Sequence, residues 1–180
     1  MAIVFQEPSS ALDPLMRVGR QIAEPLRRHR GLKGRALDQA VAMALEEVRL
    51  PDAGRVAKAF PHELSGGQRQ RVAIAMALAC NPRLLIADEC TTALDVTVQK
   101  EILMLIDQVV RARNMALVFV SHDIGVIARV SERVLVLRHG ELVEQGPTAQ
   151  LTTRPLHPYT RTLVDGARSL ERALTSGRIS

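Results

Sequence analysis

The stretch Leu64-Ser65-Gly66-Gly67-Gln68 carries the most specific chemistry in the chain. Ser65 stands where a helix N-cap belongs, and Gln68 three residues later completes a capping box for a helix predicted to run to Ala79. The two glycines let a ligand approach bare N–H groups at the positive end of that helix, where a phosphate is the natural occupant. A helix start with no ligand needs one cap residue. Two glycines inside its first turn would lower helix propensity without structural return.

Three apolar runs end in polar residues of complementary kinds. Ile3-Val4-Phe5 stops at Gln6, Leu84-Leu85-Ile86-Ala87 stops at Asp88-Glu89, and the run 116–120 stops at Ser121-His122. Functional groups of open parallel sheets gather at the carboxyl ends of strands. An amide, two carboxylates and an imidazole along one edge are the layout of a metal-assisted phosphoryl-transfer site. Asp88 and Glu89 are adjacent and point in different directions, so they suit separate tasks: Asp88 holding Mg²⁺, Glu89 polarising water as a general base. Taken alone, an apolar run ending in Asp-Glu is also an ordinary loop start. A hydrolase triad from Ser121, His122 and Asp123 is excluded, because three consecutive residues cannot face one another and no GxSxG elbow is present.

The elements that must position these groups are legible in the spacing. From 17 to 79 the pattern is helical, with Leu37, Val41, Leu45 and Val48 on one stripe and Pro51, Gly54 and Pro61 as punctuation. Leu84 to Ala87 reads as a strand buried on both faces. A helix follows with Val98, Ile102, Leu105, Ile106 and Val109 on one stripe, then a strand at 116–120, a short helix at about 124–130, a strand at 133–137, and a turn at His139-Gly140 into a last strand near 141–143. Alternating strands and helices predict an α/β fold with a parallel sheet and right-handed crossovers, interrupted by an all-helical insertion. A strand at residues 3–5 with no hairpin partner after it is expected to have had neighbours upstream.

Length and composition set the frame: 180 residues, 47% apolar and 24% charged, describe one ordinary folded domain. No apolar stretch approaches the roughly 20 residues of a membrane span, and the N-terminus lacks a signal-peptide pattern, so a cytoplasmic location is expected. Cys80 and Cys90 cannot build a disulfide framework, and no CxxC pair suggests zinc. The net charge of +5 raises nucleic acid as a partner, and the densest basic stretch is Arg27, Arg28, Arg30, Lys33 and Arg35. With no Trp, one Tyr and three Phe the chain lacks stacking surfaces, so this stretch reads as a solvated turn and no nucleic acid is expected.

In order, these residues resemble the ATP-binding subunits of ABC transporters. Leu64 to Gln68, followed by Arg69-Gln70-Arg71, resembles the signature motif; Gln6 resembles the glutamine-loop residue; Leu84 to Glu89 resembles the Walker B strand with its catalytic glutamate. Ala93-Leu94-Asp95 is similar to the D-loop and His122 to the switch histidine, the match covering about residues 1–168. Arg154-Pro155-Leu156-His157-Pro158-Tyr159-Thr160 resembles the tail of the dipeptide, oligopeptide and nickel importer group, as do the residues around Gln6-Glu7-Pro8 and those from Thr91 to Gln99.

The resemblance implies a P-loop NTPase-like fold and ATP, with Mg²⁺, sandwiched between two such subunits. Ser65, Gly66, Gly67 and Gln68 would face nucleotide held by the partner's phosphate loop. Asp88, with Gln6, would serve the metal, Glu89 the attacking water and His122 the γ-phosphate, while Asp95 would lie at the subunit interface. Gln6 would also pass the signal to two transmembrane permease subunits, whose coupling helices dock on the helical part. A periplasmic or extracellular substrate-binding protein completes the implied assembly at the cytoplasmic face of the inner membrane. The chain divides accordingly into 1–8 (remnant of the core sheet), 9–80 (helical subdomain), 81–150 (α/β core) and 151–180 (tail).

One departure matters most. A phosphate loop needs GxxxxGK[ST], yet none of Lys33, Lys58 and Lys100 follows a glycine, and the adenine-stacking aromatic has no counterpart. Cys90 stands where the family usually has proline. The expectation is a C-terminal portion of an ABC ATPase subunit that binds ATP poorly alone and leaves a sheet edge and an apolar face uncovered. The competing readings are a regulatory module docking on membrane subunits, and a non-transport ABC ATPase of the DNA-repair type, which would carry coiled-coil arms that this sequence lacks.

Overall fold

The computed structural model describes residues 1–7, 11–92 and 94–175, with side chains as far as residue 169. Pro8 and Ala93, which belong to two of the sequence motifs, lie outside the described residues. The chain forms two compact units, Met1–Val118 and Phe119–Ser180, a division that falls inside the segment 81–150.

Strands β1 (Ala2–Val4), β2 (Leu84–Asp88) and β3 (Ala116–Val120) form a sheet in the order β1-β2-β3. β1 and β2 are parallel, with Ala2 opposite Leu85, Ile3 opposite Ile86 and Val4 opposite Ala87. Val4, Leu85 and Ala87 are buried, whereas Leu84 and Ile86 are half-buried and Ile3, Phe5, Val118 and Val120 are exposed. The expectation that Leu84 to Ala87 is buried on both faces is corrected: among the described residues the sheet has one covered face, and the other leaves an apolar surface open.

Between β1 and β2 the chain runs through α1 (Val18–Arg30), α2 (Gly34–Glu47), α3 (Ala53–Lys58), a 3₁₀ turn at Pro61–Glu63, and α4 (Gly66–Leu78). The stripe of Leu37, Val41, Leu45 and Val48 is buried, as its spacing requires. Gln21 organises the entry to α1: its amide accepts from Asp13 N at 2.9 Å and donates to the Asp13 and Met16 carbonyls at 2.9 and 2.7 Å. Gly31, at φ +65°, ends α1 with its N–H on the Arg27 carbonyl. α5 (Val96–Ala112) buries Ile102, Leu105, Ile106 and Val109.

The second unit holds α6 (Ile124–Val130), β4 (Arg133–Arg138), β5 (Glu141–Pro147), α7 (Thr148–Thr153) and α8 (Pro158–Thr175). Its core is Ile127, Val134, Val136 and Leu151. β4 was expected to extend the parallel sheet. Instead it pairs antiparallel with β5 in a separate two-stranded sheet. The cause is local: His139 and Gly140 both have positive φ, at 51° and 82°, which is the backbone of a tight hairpin turn.

Candidate functional site

The capping box at the head of α4 forms as its spacing demands. Ser65 Oγ accepts from Gln68 N at 3.2 Å, and Gln68 Oε1 accepts from Ser65 N at 3.0 Å. Both caps are internal, so the N–H groups of Gly66 and Gly67 remain without acceptors among the described residues. This is the donor set that suits an anion at a helix N-terminus.

The two glycines differ. Among the described residues a Cβ on Gly66 would meet only Leu94 Cδ2, at 3.9 Å, an ordinary contact that does not require a glycine. A Cβ on Gly67 would come within 2.7 Å of Val98 Cγ1. The premise that neither glycine has a structural return is corrected: Gly67 permits the close approach of α4 and α5, while the N–H groups of both glycines still face outward from the helix head without acceptors among the described residues.

Asp95 caps α5, its Oδ1 accepting from Thr97 N at 3.1 Å and Val98 N at 3.0 Å. Its side chain stays exposed beside that work. Through Gly67 and Val98 the heads of α4 and α5 adjoin, which brings the Ser65–Gln68 tip and Asp95 into one neighbourhood.

At the sheet end, the pairing of Val4 with Ala87 places Gln6 and Asp88-Glu89 within two residues of the same paired rung. Gln6 and Asp88 are exposed and Glu89 is half-buried. Glu89 has φ +45°, a left-handed conformation that a side chain adopts at a cost, and its carbonyl accepts from Thr92 N at 3.1 Å. The strand thus ends at Asp88, and the chain turns at Glu89. Cys90 is 1% exposed; burial above all, with the neighbouring Asp88 charge, pushes its thiol up to about 12. It packs as a small apolar residue at the foot of the turn.

His122 lies two residues beyond β3, exposed, in the second unit. Its neighbours are committed to local structure: Ser121 Oγ accepts from Asp123 N at 3.0 Å, and Asp123 Oδ1 caps α6 by accepting from Gly125 N at 2.8 Å. No group of three or more His, Cys, Asp or Glu among the described residues could hold a metal ion. Asp88 is a single exposed carboxylate at a strand end, a donor of the kind that holds Mg²⁺ where substrate phosphates and water supply the remaining ligands.

Several residues support the site through contacts that the motifs do not reveal. Arg71 donates to the Val48 carbonyl at 3.0 Å and to Glu101 at 2.8 Å, tying α4 to α5. Arg113, just past α5, grips Glu47 through two nitrogens and donates to the Leu78 carbonyl at 2.9 Å. Partners 30 and 66 residues apart leave no periodic trace. Gln70, one turn along α4, is fully buried and its amide oxygen and nitrogen have no partner among the described residues. In the second unit, Glu144 accepts from Leu156 N at 2.9 Å and His157 N at 3.0 Å, holding the His157-Pro158-Tyr159 tail against β5.

Comparison with known proteins bears on the family and the fold. A family model described as ABC transporter matches residues 1–92. A putative peptide import ATP-binding protein of Brucella ovis is 51% identical over 164 residues, 91% of this chain and 48% of that protein. The glutathione import ATP-binding protein GsiA of Pectobacterium atrosepticum is 50% identical over 170 residues, 94% of this chain and 27% of that protein. The chain thus spans about half, or less, of the length of these relatives.

Among solved structures, the ATP-binding cassette MJ0796, a dimer in a post-hydrolysis state bound to ADP and Pi, is 35% identical with a TM-score of 0.69, over 82% of this chain and 63% of that one. The cbiO1 protein of Clostridium perfringens, part of the cbiONQ transporter complex, is 27% identical with a TM-score of 0.74, over 85% and 59%. With residues 1–92 of its 180 inside the family model and the fold of solved cassettes, this chain belongs to the ABC transporter family.

Proposed function

We propose that the chain is the signature-bearing part of an ATP-binding subunit that energises import of peptides, or of nickel. One observation carries this reading: a capped helix tip whose Gly66 and Gly67 amides are left without internal acceptors, adjoining Asp95. The identity of about half with peptide and glutathione import ATP-binding proteins supports the transported class.

In this reading ATP is substrate, gripped by the phosphate loop of a second ATP-binding subunit and closed over by Ser65, Gly66, Gly67 and Gln68. Backbone N–H groups at a helix head stabilise charge on the γ-phosphate without reorganising during the reaction. Glu89 takes the proton of the attacking water, and Asp88 next to it is left to the metal. His122 contacts the γ-phosphate, and Gln6 reports the nucleotide to two permease subunits and, through them, to a substrate-binding protein. Asp88 with Gln6 would hold Mg²⁺, which supplies charge neutralisation on the phosphates. The assembly works peripherally at the cytoplasmic face of a membrane, and no described helix is long and apolar enough to cross one. The segments 1–8, 9–80, 81–150 and 151–180 are assigned respectively to nucleotide sensing, signature and docking, catalysis, and the importer-type tail.

The test mixes the chain with a complete peptide-importer cassette whose own Ser at the signature serine position is blocked by Arg. Restored ATP hydrolysis, lost again with Ser65→Arg in this chain, is the expected result. Tight nucleotide binding by the isolated chain, unaffected by Ser65→Arg, would overturn the reading.

A further inference from the structure

The end of α1 and the start of α2 carry a basic patch that capping does not account for. Arg27, Arg28, His29, Arg30, Lys33 and Arg35 fall within nine residues, and all six are exposed. The first four occupy the last turn of α1, where cations complement the helix dipole. Lys33 and Arg35 do not share that excuse. Lys33 is the N-cap of α2 with no side-chain cap bond, Arg35 lies in its first turn, and that turn holds no acidic residue. Cations at the positive end of a helix are unfavourable, so folding alone gives no reason for them.

Counter-charges are sparse. Glu24 meets Arg27 at 3.5 Å in an exposed pair, worth little, whereas Arg28, Lys33 and Arg35 have no side-chain partner among the described residues. The patch continues through Arg27 into a cleft of about 420 Å³ between α1, α2 and α3, where Arg20 and Lys58 stand with the single carboxylate of Asp38, and Arg17 is engaged with the Lys58 carbonyl and the Phe60 ring. The result is a surface on the helical subdomain in which exposed cations outnumber the carboxylates of Glu24 and Asp38.

We infer that this face docks directly on anionic phospholipid, holding the subunit against the bilayer surface independently of its permease partners. Clusters of exposed Lys and Arg next to a membrane are drawn to an anionic leaflet, each contributing about a fivefold change in partitioning. A single-stranded nucleic acid would need base-stacking side chains; residues 27–35 contain no Phe, Tyr or Trp, and the one ring beside the cleft, Phe60, is already stacked with His62 at 5.7 Å and covered by Arg17 at 4.8 Å. The inference draws on the importer reading only for the presence of a membrane nearby.

The experiment measures co-sedimentation of the 180-residue chain with vesicles of phosphatidylglycerol and phosphatidylcholine, against phosphatidylcholine alone, without nucleotide or partner. Binding to the anionic vesicles that falls steeply with added salt is expected. The triple variant Arg28→Gln, Lys33→Gln, Arg35→Gln should reduce it by about two orders of magnitude at low salt. Arg83→Gln, Lys100→Gln and Arg129→Gln together remove the same charge elsewhere and should reduce it far less.

Equal binding to both vesicles, or salt-insensitive binding, would assign any attachment to the open apolar faces and overturn the inference. So would equal losses in the two triple variants, or tighter binding to an oligonucleotide abolished by the first set. Because the readout contains no ATP, its failure leaves the proposed ATP chemistry standing, and the reverse also holds.

Discussion

Gly67 lies so close to Val98 that a Cβ would sit 2.7 Å from the valine Cγ1. The contact joins the first turn of α4 to the first turn of α5, and with them the two heads that bear Ser65 and Asp95. Gly67→Ala is expected to destabilise the chain by about 1–3 kcal/mol through overpacking. Gly66→Ala meets only Leu94 at 3.9 Å and is expected to leave stability within about 0.5 kcal/mol. Urea denaturation of both, and of Gly67→Ala with Val98→Ala as the relieving second change, checks the contrast; equal losses at the two glycines would remove the distinction.

Gln70 gives a prediction of opposite sign. A buried amide with neither atom paired is a net cost. Replacement by Met keeps the length and removes the polar group, so Gln70→Met should raise stability by about 1 kcal/mol. A clear loss in thermal denaturation would show that the amide is satisfied in solution.

Arg113 and Glu47 close α5 onto α2, with side chains 24% and 30% exposed. Arg113→Ala leaves Glu47 and the Leu78 carbonyl without their partner, and a loss of about 1–3 kcal/mol is expected after allowing for the solvent that reaches the pair. Lys should not rescue it, because a point charge cannot reproduce the two-nitrogen grip. Full rescue by Arg113→Lys would reduce the contact to simple charge.

The pH dependence centres on Glu144. Burial alone would raise its pKa, but the Thr160 hydroxyl, the amides of Leu156 and His157 and the charge on His157 outweigh that, and its carboxyl sits below the usual 4.5. A carboxylate lowered in the folded state contributes stability above its unfolded pKa and loses it as pH falls through the folded value. The tail should therefore hold at neutral pH and loosen below about pH 4.5. Hydrogen exchange at Leu156 and His157 reads this directly: their protection should drop on acidification in the parent chain and be low at all pH in Glu144→Ala.

The thiols separate by burial. Cys90, buried and with its pKa pushed up to about 12, should resist alkylation at neutral pH until the chain unfolds. Cys80, half-buried with its Sγ 3.4 Å from the Pro25 carbonyl, should label first. Mass spectrometry of peptides after brief labelling distinguishes them, and comparable labelling of both would mean that the Glu89-Cys90 turn opens readily.

By itself the sequence determined everything set by neighbours within a few residues. Ser65 and Gln68 make their box because three residues is one helical turn, and Leu37, Val41, Leu45 and Val48 are buried because their spacing is a helix period. The ordered motifs fixed the family on the same local grounds. Tertiary structure decided what depends on approach between distant segments: that Gly67 is a packing glycine and that Arg113 reaches Glu47 66 residues away. Periodicity records which face of an element is apolar. It carries no information about which other element arrives to cover it, because burial is non-directional and the partner is chosen by shape.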